Sequence, residues 1–214
     1  MKCLQSPGVF HHHNEPLLTP APAVFLDRDG VLVEETGYLH TIENAILIPG
    51  AAHAVRRLNL HHIPAIIVTN QAGIARGYYA WKDFHTVQTH IEQEFQRHGA
   101  RFDGLWACAH HPNGAGPLAS DHPFRKPNPG MILDAGTKLN LDLSRSWLIG
   151  DKTIDIQAAR NASLAGAILV RTGYGKSMED EVRALTASAP TAIHLCETLT
   201  DAVTVILHHL GYNE

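Results

Sequence analysis

Short apolar runs alternate along this chain with stretches in which apolar residues recur every three to four positions. The runs have the length and composition of strands buried on both faces of a sheet, and the periodic stretches have the spacing of amphipathic helices. The predicted strands lie at 23–27, 65–69, 105–109, 146–150, 167–170 and, as an edge strand, 192–195. The predicted helices lie at 51–62, 81–98, 131–139, 154–161, 178–185 and 201–210.

Regular alternation of strands and helices predicts the fold class. We expect an α/β protein with a doubly wound, mostly parallel, Rossmann-like sheet and helices on both faces. Residues 31–49 and 111–129 have no periodicity and are predicted as loops, so only small loop insertions are expected as a cap. Prolines break any pattern before residue 23. Residues 1–22 are therefore predicted as an irregular N-terminal leader, followed by one domain at 23–214.

Composition narrows the classes of partner. The 214 residues carry a net charge of −4 without a basic tract, so a nucleic-acid partner is not expected. No apolar run reaches the roughly 18 residues of a membrane span, and residues 1–22 lack the apolar core of a secretory signal. The three cysteines are odd in number and widely spaced, which argues against a disulfide framework. We expect a cytoplasmic monomer without membrane contact.

Histidine is unusually common, with 16 residues, three of them consecutive at His11, His12 and His13. A metal site at this triplet is one interpretation. An irregular tail in a proline-rich segment is the interpretation that we favour.

Two carboxylates follow the first predicted strand directly. Asp27 and Asp29 are two positions apart, so in an extended chain both side chains leave the strand on one side. Gly30 then allows a sharp turn. Two acids so placed repel each other unless a cation or a shared proton intervenes. A plain polar turn is the alternative, because Asp and Gly are ordinary turn residues.

Other predicted strands end in similar chemistry. The second is followed by Thr69-Asn70-Gln71 and the fourth by Asp151-Lys152, while Arg125-Lys126 lies in a loop. Each feature alone is commonly a helix cap or a solvated pair. In a parallel sheet, however, these strand ends lie along one edge. Carboxylates suit Mg²⁺, and cations with backbone N–H groups suit phosphate oxygens, so the set predicts a site that handles phosphate with Mg²⁺.

These motifs together resemble those of the haloacid dehalogenase superfamily of phosphohydrolases. The resemblance rests on Asp27-x-Asp29, Thr69, Lys126 and Gly150-Asp151 with the later Asp155, and it spans most of the chain. It implies that Asp27 is the nucleophile of an aspartyl-phosphate and that Asp29 is the acid and base. It also implies that Thr69 and Lys126 steady the phosphoryl group. Mg²⁺ would be held by the carboxylates of Asp27 and Asp151 and the backbone carbonyl of Asp29.

A narrower resemblance is to the phosphatases of that superfamily that remove the 7-phosphate of D-glycero-D-manno-heptose 1,7-bisphosphate, a group related to histidinol-phosphate phosphatases. It rests on the runs 25–30, 37–38, 69–77, 108–112, 125–131 and 150–152. It implies a role in the biosynthesis of lipopolysaccharide or related glycans and a small sugar phosphate as the partner. The positions that it implies for substrate binding are Glu35, Thr36, Gly37, Tyr38, Asn70, Gln71, Ala72, Arg125 and Lys152.

The long loop departs from this group, whose members usually bind a structural zinc through a Cys-x-His pair and a Cys-x-Cys pair. Here Cys108 and His110 form the first pair, but His122 and Phe124 stand at the second. Phenylalanine cannot bind a metal, and structural zinc takes four N or S ligands. His111 or Asp121 could substitute, although nothing in the spacing requires it. We therefore expect Mg²⁺ as the cofactor and do not favour zinc.

Three other functions remain open at the level of the sequence. The enzyme could act on histidinol phosphate or on another small phosphate monoester. The chain could be a non-catalytic phosphosugar-binding relative, although a binder has no need of the second acid, Asp29. A phosphomutase usually needs a larger cap domain to exclude water, and neither loop of this chain is long enough to form one.

Overall fold

The computed structural model describes residues 2–6, 8–186 and 191–212. Its strands are β1 (Lys2–Ser6), β2 (Val9–His13), β3 (Val24–Leu26), β4 (Ala65–Asn70), β5 (Gly104–Cys108), β6 (Trp147–Gly150), β7 (Gly166–Val170) and β8 (Ala192–Cys196). Its α-helices are α1 (Ala51–Leu60), α2 (Ala72–Ala75), α3 (Trp81–Arg97), α4 (Gly130–Leu139), α5 (Thr153–Asn161), α6 (Gly175–Thr186) and α7 (Leu199–His209). No helix among the described residues is long and apolar enough to cross a membrane.

One sheet contains all of these strands, in the order β1-β2-β5-β4-β3-β6-β7-β8. Strands β3 to β8 run parallel to one another. Strands β1 and β2 add an antiparallel hairpin at the edge beside β5. The predicted mostly parallel α/β sheet is therefore confirmed. The strand order reverses direction at β3, where β4 lies on one side and β6 on the other. A crevice at the carboxyl ends of the strands is expected at such a switch point.

Two apolar cores cover the two faces of the sheet. Val24 and Leu26 of β3 face the core built with α1, α3 and α7. Phe25, between them, faces the core built with α4, α5 and α6. All three side chains are buried, because a parallel strand covered by helices on both sides has no polar face. The continuous apolar runs in the sequence follow from this geometry.

The N-terminal segment corrects the sequence-based expectation. The sequence predicts that residues 1–22 are irregular, yet 2–6 and 9–13 form β1 and β2, and β2 pairs with β5 from Val9 opposite Cys108 to His13 opposite Gly104. The histidine triplet belongs to β2, with His11 and His13 buried against the sheet. The irregular leader is thus wrong for these two stretches. The domain boundary at residue 23 stays a prediction.

Candidate active site

The polar side chains predicted to converge do so at the carboxyl ends of β3, β4 and β6. Asp27 follows β3, Thr69 lies within β4, and Asp151 follows β6. All three are nearly or fully buried. Because β3 is the strand at which the sheet order reverses, the loops after β3 and β6 diverge and leave a crevice between them. The switch point therefore places the predicted nucleophile, Asp27, beside the predicted Mg²⁺ ligand Asp151.

Three carboxylates form a cluster in this crevice. Asp27, Asp151 and Asp155 each offer one oxygen atom within 4.8 Å of the others, and all three residues are buried. The turn after β3 fits closely over the cluster: Gly30 has φ +82°, and a Cβ atom at Gly30 would lie 2.1 Å from Oδ2 of Asp151. Only glycine has both the conformation and the lack of a side chain that this contact requires.

The sequence assigned no role to Asp155, although it belongs to the fourth motif. Its Oδ2 accepts a hydrogen bond of 3.1 Å from the backbone N–H of Lys152 at the start of α5. An acid in the first turn of a helix is commonly a cap, which hides its part in the cluster.

Electrostatics at the cluster favour the binding of a positive charge. Burial, and then the charge of Asp27, raise the pKa of Asp151 to about 8. Burial likewise raises the pKa of Asp155 to about 6, although Lys126 opposes the shift. Oδ1 of Asp151 is buried and accepts no hydrogen bond from any described residue. Hard carboxylate oxygens crowded in this way fit a hard divalent cation such as Mg²⁺.

Lys126 supplies one fixed positive charge. Its Nζ lies 2.8 Å from Oδ1 of Asp27, 2.6 Å from Oδ1 of Asp155 and 2.8 Å from the carbonyl oxygen of Val68. Burial alone would lower the pKa of Lys126, but the two carboxylates more than offset it and the pKa is raised. The side chain of Asn70 holds the lysine's backbone in place, with hydrogen bonds of 3.0 Å to both its N–H and its carbonyl oxygen.

Asp29 lies in a second network beside the cluster. The guanidinium of Arg28 donates to both carboxylate oxygens of Asp29, and Nε2 of Gln71 lies 3.3 Å from Oδ2. Gln71 also donates to Oγ1 of Thr69 at 2.8 Å and accepts from the Tyr79 hydroxyl at 2.6 Å. Burial raises the pKa of Asp29, while the charge of Arg28 lowers it. This network links the proposed acid to the proposed phosphate-binding threonine.

A cavity of about 280 Å³ opens in front of Asp29. Most of the predicted substrate positions line it, namely Glu35, Gly37, Tyr38, Asn70, Gln71, Ala72, Arg125 and Lys152. Thr36 is exposed and is not among the lining residues. Nζ of Lys152 lies 2.8 Å from Oε2 of Glu35 and 4.6 Å from the centre of the Tyr174 ring, so the ion pair closes one side of the cavity.

Positive charge lines the cavity at Arg125, a predicted substrate position, and also at Arg76, to which the sequence assigned no role. Nη2 of Arg76 donates to Nε2 of His111 at 3.1 Å, and Nη1 of Arg125 donates to the carbonyl oxygen of His110 at 3.1 Å. Burial, and also the charge of Arg76, lower the pKa of Arg125. Arg76, His111 and Arg125 together form what we call the basic wall. Arg76 had a signal in the run 69–77, but no role was derived for it.

The long loop does not assemble the ligands considered for zinc. Among the described residues, the cluster of Asp27, Asp151 and Asp155 is the only group of three or more side chains placed to hold one ion. The rings of His110 and His122 stack at 4.2 Å, and Nδ1 of His110 contacts the Ser120 hydroxyl at 2.9 Å. Burial raises the pKa of the Cys108 thiol to about 11, which disfavours the thiolate that zinc requires.

Comparison with known proteins points in one direction. A family model described as HAD-hydrolase-like matches residues 123–202. A D-glycero-β-D-manno-heptose-1,7-bisphosphate 7-phosphatase of Mesorhizobium japonicum is 44% identical over 170 residues, which cover 78% of each chain. A D-glycero-D-manno-heptose-1,7-bisphosphate 7-phosphatase of Thermosynechococcus vestitus is 42% identical over 198 residues, covering 90% of this chain and 98% of the relative.

Solved structures agree with these relatives. A protein described as a HAD-like phosphatase from Mesorhizobium loti superposes with a TM-score of 0.82 at 36% identity, over 96% of both chains. The D,D-heptose 1,7-bisphosphate phosphatase of B. bronchiseptica, crystallised with magnesium and phosphate, superposes with a TM-score of 0.75 at 26% identity. That match covers 87% of this chain and 98% of the other.

Proposed function

The chain belongs to the haloacid dehalogenase-like phosphatases, among the heptose-bisphosphate 7-phosphatases, and is a phosphoric monoester hydrolase. We propose that its substrate is D-glycero-D-manno-heptose 1,7-bisphosphate and that it removes the 7-phosphate. One observation carries the proposal. Asp29, two residues after Asp27, lines the same cavity as the basic wall, so a substrate that reaches the acids also meets positive charge suited to a second phosphate.

The first half-reaction uses Asp27 as the nucleophile. Its carboxylate oxygen attacks phosphorus, the bond from phosphorus to the sugar oxygen breaks, and the carboxyl of Asp29 gives its proton to that oxygen. In the second half-reaction, water attacks the phosphorus of the aspartyl-phosphate and loses its proton to Asp29. Inorganic phosphate leaves, and Asp27 and Asp29 return to their starting states. Lys126 and Thr69 bind the phosphoryl oxygens in both steps.

Asp27 and Asp151, with the backbone carbonyl of Asp29, would hold Mg²⁺. When bound, the ion neutralises charge on the carboxylates and on the transferring phosphoryl group. The fit rests on the crowded carboxylates and on the unpartnered Oδ1 of Asp151 among the described residues. Asp155 serves the cluster through Lys126, whose ammonium it holds against Asp27.

The basic wall supports a substrate with a second phosphate. Burial lowers the pKa of His111, and the charges of Arg125 and Arg76 lower it further, so the wall already carries mutual repulsion. A dianionic phosphate would relieve that repulsion, and arginine forks match phosphate oxygens in geometry. A sugar bisphosphate with one phosphate at Asp27 and the other at this wall accounts for both the buried acids and the positive charge that lines the cavity.

Steady-state phosphate release tests this assignment. We expect kcat/KM for heptose 1,7-bisphosphate to exceed that for heptose 7-phosphate and for histidinol phosphate. In Arg125→Met the preference should shrink, with KM for the bisphosphate raised about tenfold or more and the monophosphates little changed, because only the retained phosphate loses a charged partner. Arg97→Met, which removes an exposed arginine paired with Glu94 on α3, is the matched control.

Each other outcome contradicts a stated part of the proposal. A higher kcat/KM for histidinol phosphate than for heptose 1,7-bisphosphate would show that histidinol phosphate is the preferred substrate. An equal loss of kcat/KM on all substrates in Arg125→Met would show that Arg125 does not bind a second phosphate. Binding of sugar phosphate without phosphate release would make the chain a non-catalytic relative.

A further inference from the structure

Arg28 is a fully buried arginine between the two catalytic acids, and the two half-reactions give it no role. Its backbone N–H donates to Oδ1 of Asp27 at 2.8 Å, which fixes the start of the turn. Its side chain turns the other way, toward Asp29. The exposed fraction of the side chain is 0% for Arg28 and 18% for Asp29, so the guanidinium is inaccessible to solvent while part of the carboxylate is exposed.

The contact between the two side chains is a fork. Nε of Arg28 lies 3.1 Å from Oδ1 of Asp29, and Nη2 lies 2.9 Å from Oδ1 and 2.9 Å from Oδ2. Two donors on one rigid plane fix the orientation of a carboxyl group as well as its position. Asp29 nevertheless lines the cavity, so its exposed part remains available to a leaving oxygen.

Neighbouring side chains hold the guanidinium in turn. Its central carbon lies 5.4 Å from the centre of the Phe84 ring on α3, within the range of a cation–π contact. Nη2 also lies 3.3 Å from Oε1 of Gln71, an oxygen that the Tyr79 hydroxyl fixes at 2.6 Å. The fork is thus supported from the core side and from the cavity side.

Stability alone does not account for a charge in this place. Nη1 of Arg28 is buried and has no hydrogen-bond partner in the described part of the chain. A buried ion pair often adds nothing over an apolar residue of the same size, and an unsatisfied buried donor is unfavourable. The position is therefore better understood from what Arg28 does to Asp29.

We propose that Arg28 is a positioning residue that holds the Asp29 carboxyl in line with the oxygen of the leaving sugar. The inference rests on the proposed function and adds a residue to it. Proton transfer by a well-placed acid contributes about 10²- to 10⁴-fold, and only to leaving groups that need a proton. Loss of the fork should therefore slow the hydrolysis of alkyl phosphates, whose alkoxide is a poor leaving group. Hydrolysis of aryl phosphates of acidic phenols should change little.

The test measures kcat/KM over a series from sugar and alkyl phosphates to 4-nitrophenyl phosphate. This parameter reports only the steps up to the first departure of the leaving group, so the shared second half-reaction does not enter it. We expect Arg28→Met, which fills the same space against Phe84, to lose about 100-fold on alkyl phosphates and little on 4-nitrophenyl phosphate. Asp29→Asn should show the same selectivity, and the double variant should lose no more.

Two further variants guard the interpretation. Arg28→Lys keeps a charge but cannot form a fork, so it should give the same selectivity with a smaller loss even if Arg28→Met folds poorly. Arg171→Met removes a comparable fork, which Nε and Nη2 of Arg171 make to Glu179 of α6, and should change kcat/KM for neither substrate class.

The outcomes separate the positioning role from the proposed function. If kcat/KM in the Arg28 variants falls equally across leaving groups, or does not fall, the positioning role is overturned, while turnover by the wild type still supports the phosphatase. Absence of phosphate release by the wild-type chain would reject the proposed function itself.

Discussion

Two regions of this molecule bury ionisable side chains in opposite ways. The active-site edge buries charges and balances them: Nζ of Lys126 lies 2.8 Å from Asp27 and 2.6 Å from Asp155. The N-terminal edge buries His11 and His13 as aromatic rings, each stacked on Trp106 at 5.5 Å with planes within 10° of parallel. The first arrangement keeps charge in a crevice that opens to substrate. The second packs the imidazoles against an aromatic side chain.

The difference follows from what each side chain can do when it loses water. Histidine can stay neutral and pack as a flat ring, and burial lowers the pKa of His11, with the nearby Lys138 acting in the same direction. A carboxyl group acts as a nucleophile in its ionised form, so the role proposed for Asp27 calls for cations close by. The same chemical change made in both regions should therefore have very different consequences.

Replacement of an acid in each region should give the largest contrast. We expect Asp27→Asn to lower phosphate release by at least about 10³-fold, because the amide cannot form the aspartyl-phosphate. Asp134→Asn makes the same change at the N-terminal edge, where the carboxylate accepts from Trp106 at 2.7 Å, and should leave kcat near the wild-type value. Comparable turnover in both variants would contradict the mechanism.

Removal of divalent ions comes next in size. Chelation should lower turnover by about 100-fold or more, and Mg²⁺ should restore it.

Stability without the ion should depend on pH. The pKa of Asp151 is raised to about 8 and that of Asp155 to about 6, so the metal-free native state holds extra protons that the unfolded chain gives up near pH 4. Metal-free stability should therefore fall as pH rises from about 4 to about 8.

The same linkage predicts how Mg²⁺ changes the melting temperature. Because the ion competes with protons for these carboxylates, the increase in Tm on adding Mg²⁺ should be larger at pH 8 than at pH 6. Thermal unfolding at both values, with and without the ion, measures this. A Tm increase that is independent of pH would mean that the carboxylates do not take up protons when the ion is absent.

Removal of a lysine in each region should separate the two in stability. Lys126→Met leaves two buried carboxylates without their partner, which costs about 3–5 kcal/mol of unfolding free energy when a buried pair is broken. Lys138→Met removes a half-exposed pair with Asp134 on α4 and should cost less than about 0.5 kcal/mol. Urea unfolding of the two variants gives both values, and equal losses would show that burial does not distinguish the pairs.

Most of the parallel sheet and the acidic motifs could be predicted from the sequence, because a continuous apolar run that ends in Asp is typical of a buried parallel strand with a polar carboxyl end. The hairpin of β1 and β2 could not. His11 and His13 count as polar in any hydrophobic pattern, but stacked on Trp106 they serve as core residues. The burial of Arg28 could not be predicted either, since nothing in the neighbouring sequence indicates that an arginine between two acids points into the core.

The smallest effect is expected at this N-terminal edge. The pKa of His11 lies below its unfolded value, so the native state takes up fewer protons there and stability falls as pH drops below about 6.5. The ionisable groups that act on the ring are Asp134 and Lys138 of α4 and His13 and His12 of its own strand. His11→Phe keeps the stack without the titration, so its unfolding free energy should fall less between pH 7 and pH 5. We expect a difference of about 1 kcal/mol or less by urea unfolding.

The central claim is that strand ends distant in sequence share one divalent ion at the switch point. Calorimetric titration of Mg²⁺ into the wild-type chain, Asp151→Asn and Asp134→Asn tests it most directly. The account predicts one bound Mg²⁺ per chain for the wild type and for Asp134→Asn, and none for Asp151→Asn. Binding of Mg²⁺ to Asp151→Asn with wild-type affinity would contradict it.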